Sequence, residues 1–453
     1  MNGDVNPLQE IEQTVLERAK AIAISVDGAE GRSQLHKLIR EAVDQWSDDY
    51  KRGRHAFDLP DPELVVDRAF RNLAGYGPLE PLLRDDDVWE VMINAPDAVF
   101  VKRHRGPSGY HDEVFHDDEH VVRILTKVLD DAAGAHRKLD PSEGLQDAQL
   151  DDGARLHIVH QDVAKGGHVM VNIRKFTGVV FHDLDQLVGR DMLSPQVAAF
   201  LKACVRARLS IVFAGAPGSG KTTMLSCCCA ELDPRLRVVT AEEVFEADIP
   251  VPTVASMQTR AARTDRPAVD LRRLVAGFLR MAPDVAIVGE VRDREALPLL
   301  LTLSSGVKGF TTIHAGSARQ ALTRLRFICQ LSDNDLPLSA LNNLVSEAID
   351  IVVHCTRTPD GPRVTEVVAV EDLTSGPDAT NFTITELFRR ERSDQPLTWT
   401  GHLPVRCERP LGEAGYDVRD LLDVEHGRRV GASGGGRDGA ATGDRAGAGA
   451  RRQ

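Results

Sequence analysis

Gly215-Ala216-Pro217-Gly218-Ser219-Gly220-Lys221-Thr222-Thr223 fits the pattern G-x-x-x-x-G-K-[ST], and its flanks are those the pattern requires. Upstream, Leu209-Ser210-Ile211-Val212-Phe213-Ala214 is a short apolar, β-branched run suited to a buried parallel strand. Downstream, residues 221–232 contain no Gly or Pro and predict a helix. Strand, glycine loop and helix in that order make a phosphate cradle. The glycines let consecutive backbone N–H groups approach a pyrophosphate at the helix N-terminus, Lys221 reaches the β- and γ-phosphates, and the Thr222 hydroxyl is placed to ligate Mg²⁺.

A chain of 453 residues with 42% hydrophobic content is long enough for about three domains with real cores. Its formal net charge of −13 argues against a duplex nucleic-acid binder held by a global basic field, so no specific nucleic-acid partner is expected. Seven cysteines, three of them consecutive at Cys227, Cys228 and Cys229, form no C-x-x-C pair and read as small buried residues of a reducing cytoplasm. Met1-Asn2-Gly3-Asp4 lacks a basic-then-apolar signal pattern, and no uncharged apolar run approaches the ~18 residues of a membrane span. The expected location is cytoplasmic, with any work at a membrane done peripherally from its surface.

The fold class is α/β, and the organisation reads in order. Residues 1–60 form a helical segment, with apolar periodicity at Leu8, Ile11, Val15 and Ala19 and again at Leu35, Leu38, Ile39, Ala42, Val43 and Trp46; it is either a self-packing bundle or a docking module. Residues 61–176 form a small α/β domain. It opens on a helix over 62–73, continues in strands at 88–94 and 98–102, a helix at 120–133 and a hairpin around Asp152-Gly153, and closes on Ile173-Arg174-Lys175-Phe176. A linker spans 177–190, and a P-loop domain runs over 191–357. A β-containing extension covers 358–423, and the Gly-, Ala- and Arg-rich tail from 424 to 453 is expected to be disordered.

Inside the P-loop domain, a strand at 237–240 delivers Glu242, Glu243 and Glu246 to the C-terminal sheet edge where parallel sheets bind ligands. The triplet is either a solvated acidic loop or a Mg²⁺- or water-holding group. A helix is predicted over 270–281. Val285-Ala286-Ile287-Val288-Gly289-Glu290-Val291-Arg292 has the form of a Walker-B strand, except that Gly289 stands where a magnesium-binding Asp is common. Glu290 is therefore the candidate general base, with magnesium left to Thr222, water and the Glu242/Glu243 pair. Thr311, Thr312 and His314 gather at one strand end, where His314 is either structural or a γ-phosphate sensor. The strand at 349–354 is expected to close the sheet.

Together these motifs resemble the secretion ATPases of the type II/type IV superfamily, and most closely the CpaF-like ATPases of Tad (Flp) pilus assembly. The resemblance covers about residues 60–400. It is carried by Gly77-Pro78-Leu79-Glu80-Pro81-Leu82-Leu83, Val91-Met92-Ile93-Asn94, Asp152-Gly153-Ala154-Arg155, Ile173-Arg174-Lys175-Phe176 and the P-loop. It continues in an Asp box at Ala241-Glu242-Glu243-Val244-Phe245-Glu246, the Walker B at 288–292 and a His box at Thr311-Thr312-Ile313-His314-Ala315. It implies a RecA-like ATPase domain below the N-terminal domain, ATP and Mg²⁺ as cofactors, and a homo-oligomer, a hexameric ring, acting on a polytopic inner-membrane platform protein. It also implies that Arg155, Arg174, Arg260 and Arg292 approach nucleotide or a neighbouring protomer. The chain departs from the family pattern in having Glu243 for Asp, Ala247 for Leu and no second Arg at 281–283. It also has Ser304-Ser305-Gly306-Val307-Lys308-Gly309 where Asn-Thr-Gly-His-Asp-Gly is usual.

Overall fold

The structure, a computed structural model, describes residues 6–22, 24, 28–103, 106–132, 138–175, 181–260, 262, 267–331, 336–372, 381–392 and 394–422. The expected tail from 424 onward, Phe176 and linker residues 177–180 lie outside the described residues. The chain divides into two compact units, Met1–Val180 and Phe181–Gln453.

The first unit begins with three helices, α1 (Pro7–Ala21), α2 (Ala29–Lys51) and α3 (Pro62–Ala74). Asn6 and Asp61 accept backbone N–H groups at the starts of α1 and α3, and a proline follows each cap. Leu8, Ile11 and Val15 share one core with Ile39, Val43 and Trp46 of α2 and with Val66 and Ala69 of α3. The helical layer therefore runs to Ala74 and does not stop at residue 60, because the apolar face of α3 has its partners on α1 and α2. Next come α4 (Leu79–Arg84), β1 (Val88–Ala95), β2 (Ala98–Arg103), β3 (Gly109–Tyr110), α5 (Asp118–Asp131), β4 (Leu145–Gln149), β5 (Arg155–Val159) and β6 (Met170–Arg174). Among the described residues the strands form an antiparallel sheet in the order β3-β2-β1-β6-β5-β4. Val121, Ile124, Leu125 and Val128 of α5 fill its core together with Val91, Ile93, Leu156 and Ile173.

The second unit opens with α6 (Leu184–Val188) and α7 (Pro195–Arg206), then β7 (Ile211–Gly215) and α8 (Lys221–Cys229). The expected linker thus contains a capped five-residue helix: Asp183 accepts the Gln186 N–H, and Leu184 and Leu187 are buried in the main core. There follow β8 (Val238–Glu242), β9 (Val254–Gln258), α9 (Leu271–Val275), β10 (Val285–Val291), α10 (Ala296–Ser304), β11 (Lys308–Ile313), α11 (Ala318–Gln330) and α12 (Leu338–Ala348). The unit ends in β12 (Ile351–Thr358), β13 (Gly361–Val370), β14 (Ile384–Arg389), β15 (Thr398–Trp399), α13 (Val405–Glu413) and α14 (Val418–Leu422). The helix predicted over 270–281 is broken. After α9 the chain passes Gly277 into a 3-10 turn, Phe278–Met281, and Ala282 adopts φ 50° ahead of Pro283.

The strand order is β15-β14-β13-β12-β7-β11-β10-β8-β9, parallel from β12 through β9 and antiparallel from β12 outward through β15. The strand expected to close the sheet is therefore interior, since β12 lies between β7 and β13 and the 358–423 segment continues the same sheet. Alternation along β7 divides the packing: Ile211 and Phe213 enter one core with α7 and α8, while Val212 and Ala214 enter the other with α10, α11 and α12. A strand buried on both faces gains roughly 1.5–3 kcal/mol for each large side chain, which fixes its C-terminal end, and hence the glycine loop, firmly in place. All seven cysteines are buried and free, and burial pushes the Cys204, Cys228 and Cys229 thiols up, so they stay protonated packing groups.

Candidate nucleotide site

The loop after β7 is shaped by close approach. Gly215 adopts φ 152°, and a Cβ there would collide with the Cys355 carbonyl and Ser219 Oγ. Gly220, at φ 86°, caps α8, and a Cβ on it would lie 2.8 Å from Met192 Cε. Ala216, Pro217, Gly218 and Ser219 span the turn between them. Beyond it, Lys221, Thr222 and Thr223 form the first turn of α8, whose N–H groups have no intrahelical acceptor. Ser219 Oγ is fully buried and, among the described residues, has no hydrogen-bond partner. An orphaned hydroxyl, two positions that tolerate only glycine and a helix N-terminus fit an anion such as a nucleotide phosphate.

From that cradle a run of polar contacts crosses three strands. Lys221, 7% exposed, donates from Nζ to the Ala216 carbonyl at 2.9 Å, and Nζ lies 3.2 Å from His314 Nδ1. On the other side of the ring, His314 Nε2 lies 2.8 Å from Glu290 Oε1. Arg292 donates from Nη2 to Glu290 Oε2 at 2.7 Å and from Nη1 to Glu243 Oε2 at 2.8 Å. Parallel pairing of β10 with β11 and of β11 with β7 brings the three strand ends side by side. Burial by itself would raise the Glu290 carboxyl, but the neighbouring His314 ring and the hydrogen bond and charge of Arg292 outweigh it and hold Glu290 down to about 2. Arg292 is pushed up by its hydrogen bond to Glu290 and stays a cation.

Glu242 plays a different part from its neighbour. It is 3% exposed, and its Oε1 accepts the Glu246 and Ala247 N–H groups at 3.1 and 3.0 Å. A Cβ at Gly289 would lie 2.8 Å from Glu242 Cγ. Glycine at the Walker-B position thus makes room for a carboxylate from the adjacent strand. Thr312 Oγ1 donates to the Gly289 carbonyl at 2.8 Å, tying the His box to the same spot. Among the described residues, no cluster of three or more His, Cys, Asp or Glu is arranged to hold a metal ion. Thr222 lies in the first turn of α8 beside the phosphate loop, and Glu243 is engaged by Arg292.

Of the remaining predicted arginines, two belong to the first unit and one to a loop of the second. Arg155 and Arg174 are direct cross-strand partners on β5 and β6 of the first unit, and Arg174 also pairs across to Glu90 of β1. Lys175 is structural, donating to the Leu82 and Asp85 carbonyls at 2.9 and 2.7 Å. Arg260 donates to the Pro267 carbonyl across its own loop at 3.2 Å.

Sequence reading missed Arg357, whose Nη1 donates to the Gly218 carbonyl at 3.3 Å. No motif contains it, and only the β12–β7 pairing brings it there. The unusual Lys308 is also explained. Its Nζ lies 2.9 Å from the buried Asp350, which Arg406 reaches at 3.0 Å, at the end of β11 opposite His314. The departure at 304–309 is accommodated within the chain.

A glycine loop between a buried strand and a helix, with an acid and a histidine on neighbouring strand ends, defines a nucleotide-binding protein of the phosphate-loop class. The chain belongs to the Type II/IV secretion system protein family, which matches residues 72–377. A Mycobacterium tuberculosis protein named for conjugal transfer is 32% identical over 306 residues, covering 66% of this chain and 85% of that protein. The type IV secretion system protein PtlH of Bordetella pertussis is 30% identical over 303 residues, covering 62% of this chain and 88% of PtlH. Among solved structures, the VirB11 ATPase of the Brucella suis type IV secretion system is 26% identical, with a TM-score of 0.35 over 67% of this chain and 97% of VirB11. Among the described residues no helix is long and apolar enough to cross a membrane.

Proposed function

We propose that this protein is an ATP-hydrolysing motor of a type II/IV secretion machine. It works as a homohexameric ring on the cytoplasmic side of the membrane and drives a polytopic platform protein. The observation that carries this reading is the contact run from Lys221 through His314 to Glu290 and Arg292, which connects a phosphate cradle to an ionised acid. Bound Mg·ATP supplies the electrophilic γ-phosphorus. Residues 215–223 hold the phosphates through backbone N–H groups and Lys221, and Thr222 takes the metal, with Glu243 as its second-strand acid. Glu290 orients the attacking water and accepts its proton once His314 and Arg292 loosen their hold, because a carboxylate near 2 is too weak a base for that step. Arg155, Arg174 and Arg260 supply further cations to nucleotide or to the neighbouring protomer.

The machine is either a Tad/Flp-type pilus assembly system or a conjugation-type secretion system. The second reading draws on relatives named for conjugal transfer and type IV secretion. A pull-down from the native cell envelope separates the two: pilus-platform proteins support the first and coupling-type secretion components the second. The catalytic reading is tested by phosphate release. Turnover that survives Lys221→Ala unchanged contradicts it.

A further inference from the structure

Three side chains from outside the glycine motif stand behind the phosphate loop. For consecutive N–H groups to face a phosphate, the loop carbonyls must turn outward, and an outward carbonyl in a partly buried place needs a donor. Gly218 adopts φ 71°, in the left-handed region, and its carbonyl has such a donor in Arg357 Nη1 at 3.3 Å. The reach of Arg357 is set by the sheet. Cys355, two residues earlier, pairs with Gly215 in parallel register, and its carbonyl comes too near Gly215 to admit any Cβ. Met192 and Pro362 back the other end of the loop, where a Cβ at Gly220 would lie 2.8 Å from Met192 Cε and 3.2 Å from Pro362 Cβ. The Val364 N–H donates to the Met192 carbonyl at 2.7 Å and fixes this wall to β13.

Electrostatics give the arrangement its direction. The N-terminus of α8, the Lys221 ammonium and the Arg357 guanidinium present the same positive sign around one small loop, the sign a phosphate needs. A cation spent only on tethering a loop could be replaced by a neutral donor. One that also prepares the loop for phosphate could not.

We infer that Arg357 is a positioning residue of the nucleotide site. It acts through the Gly218 carbonyl, holds the loop apex in the conformation that aims the N–H groups inward, and adds a fixed positive charge behind it. The inference rests on the nucleotide reading above. Arg357 touches no reacting group, so its removal weakens binding and leaves the chemical step nearly intact.

The test is equilibrium binding of a fluorescent ADP analogue to the full chain and to R357A, R357K and R357Q, with melting recorded without nucleotide and KM and kcat measured for ATP. R357A is expected to bind about tenfold more weakly, as for loss of a charge-assisted hydrogen bond, with KM raised in step and kcat nearly unchanged. R357K should recover most of the affinity, because an ammonium supplies both the donor and the charge. R357A binding as tightly as wild type, or kcat falling with KM unchanged, overturns the inference. If R357A melts early on its own, R357K against R357Q decides, and equal affinity of those two overturns it. A wild-type chain that binds no nucleotide overturns the nucleotide reading itself; normal wild-type binding with an unaltered R357A overturns the role of Arg357 alone.

Discussion

Lys221 Nζ lies 3.2 Å from His314 Nδ1, and the opposite nitrogen of the same ring lies 2.8 Å from Glu290 Oε1. An ammonium only donates, so the Lys221 contact is satisfied when Nδ1 accepts, and the ring proton then sits on Nε2, the nitrogen beside the Glu290 carboxylate. The imidazole is thereby in touch with the cradle on one side and the candidate base on the other. Nδ1 also lies 3.1 Å from the Gly215 carbonyl, which only accepts, so that contact becomes a hydrogen bond only when Nδ1 carries a proton.

His314→Ala should separate the two halves of the site. Nucleotide binding is expected to stay within a few-fold of wild type, while turnover falls roughly 10–100-fold because Glu290 loses the group that orients it. Binding and single-turnover measurements on one preparation check this, and parallel loss of both shows that His314 serves the cradle alone.

Arg292→Ala bears on pH. Arg292 helps hold Glu290 near 2, so removing that cation moves the carboxyl upward. Activity that needs ionised Glu290 is then lost on the acid side at a higher pH than in wild type. The acid limb of a kcat/KM profile between pH 4 and 7 reads the shift directly, and an unmoved limb separates Arg292 from the titration of Glu290.

His120 sets an acid limit on the first unit. Burial first, and then the Arg123 charge and the His116 ring, push His120 down from 6.5 to about 3. The unfolded chain takes up this proton through about 6.5 and the folded chain only near 3. The contribution is thus fully present above about 6.5 and shrinks by about 1.4 kcal/mol per pH unit as pH falls toward 3. Hydrogen exchange of the α5 peptides, corrected for intrinsic rate, should show protection falling through that window. His120→Gln should flatten the fall.

Lys308→Asp, which restores the residue common in the family, should destabilise this chain. It would set a second carboxylate beside Asp350, which is 4% exposed, and leave Arg406 as the cation for both. Breaking a buried pair costs about 3–5 kcal/mol, so melting should drop by several degrees. A variant as stable as wild type would mean that the triad does not hold the strand starts together.

Much of this was legible in the chain itself. Strand, loop and helix around Gly215–Thr223, and the acid-bearing strand ending at Glu290, follow from local pattern, because a strand buried on both faces and a glycine turn leave few alternatives. What pattern could not supply was adjacency. Whether Glu242 stands under Gly289, or Arg357 under Gly218, depends on which strands neighbour one another, and periodicity is silent on that. The short helix at Leu184–Val188 was not legible for a related reason: two apolar residues one helical turn apart look incidental until a core is there to receive them.

The most direct test of the central claim is phosphate release by the assembled protein, measured side by side for wild type, Lys221→Ala and Glu290→Gln. Measurable wild-type turnover is expected, with Lys221→Ala inactive through lost nucleotide binding and Glu290→Gln slowed by about 10²–10⁴-fold while still binding nucleotide. Equal phosphate release from wild type and Glu290→Gln would contradict it and leave a nucleotide-dependent scaffold in place of a motor.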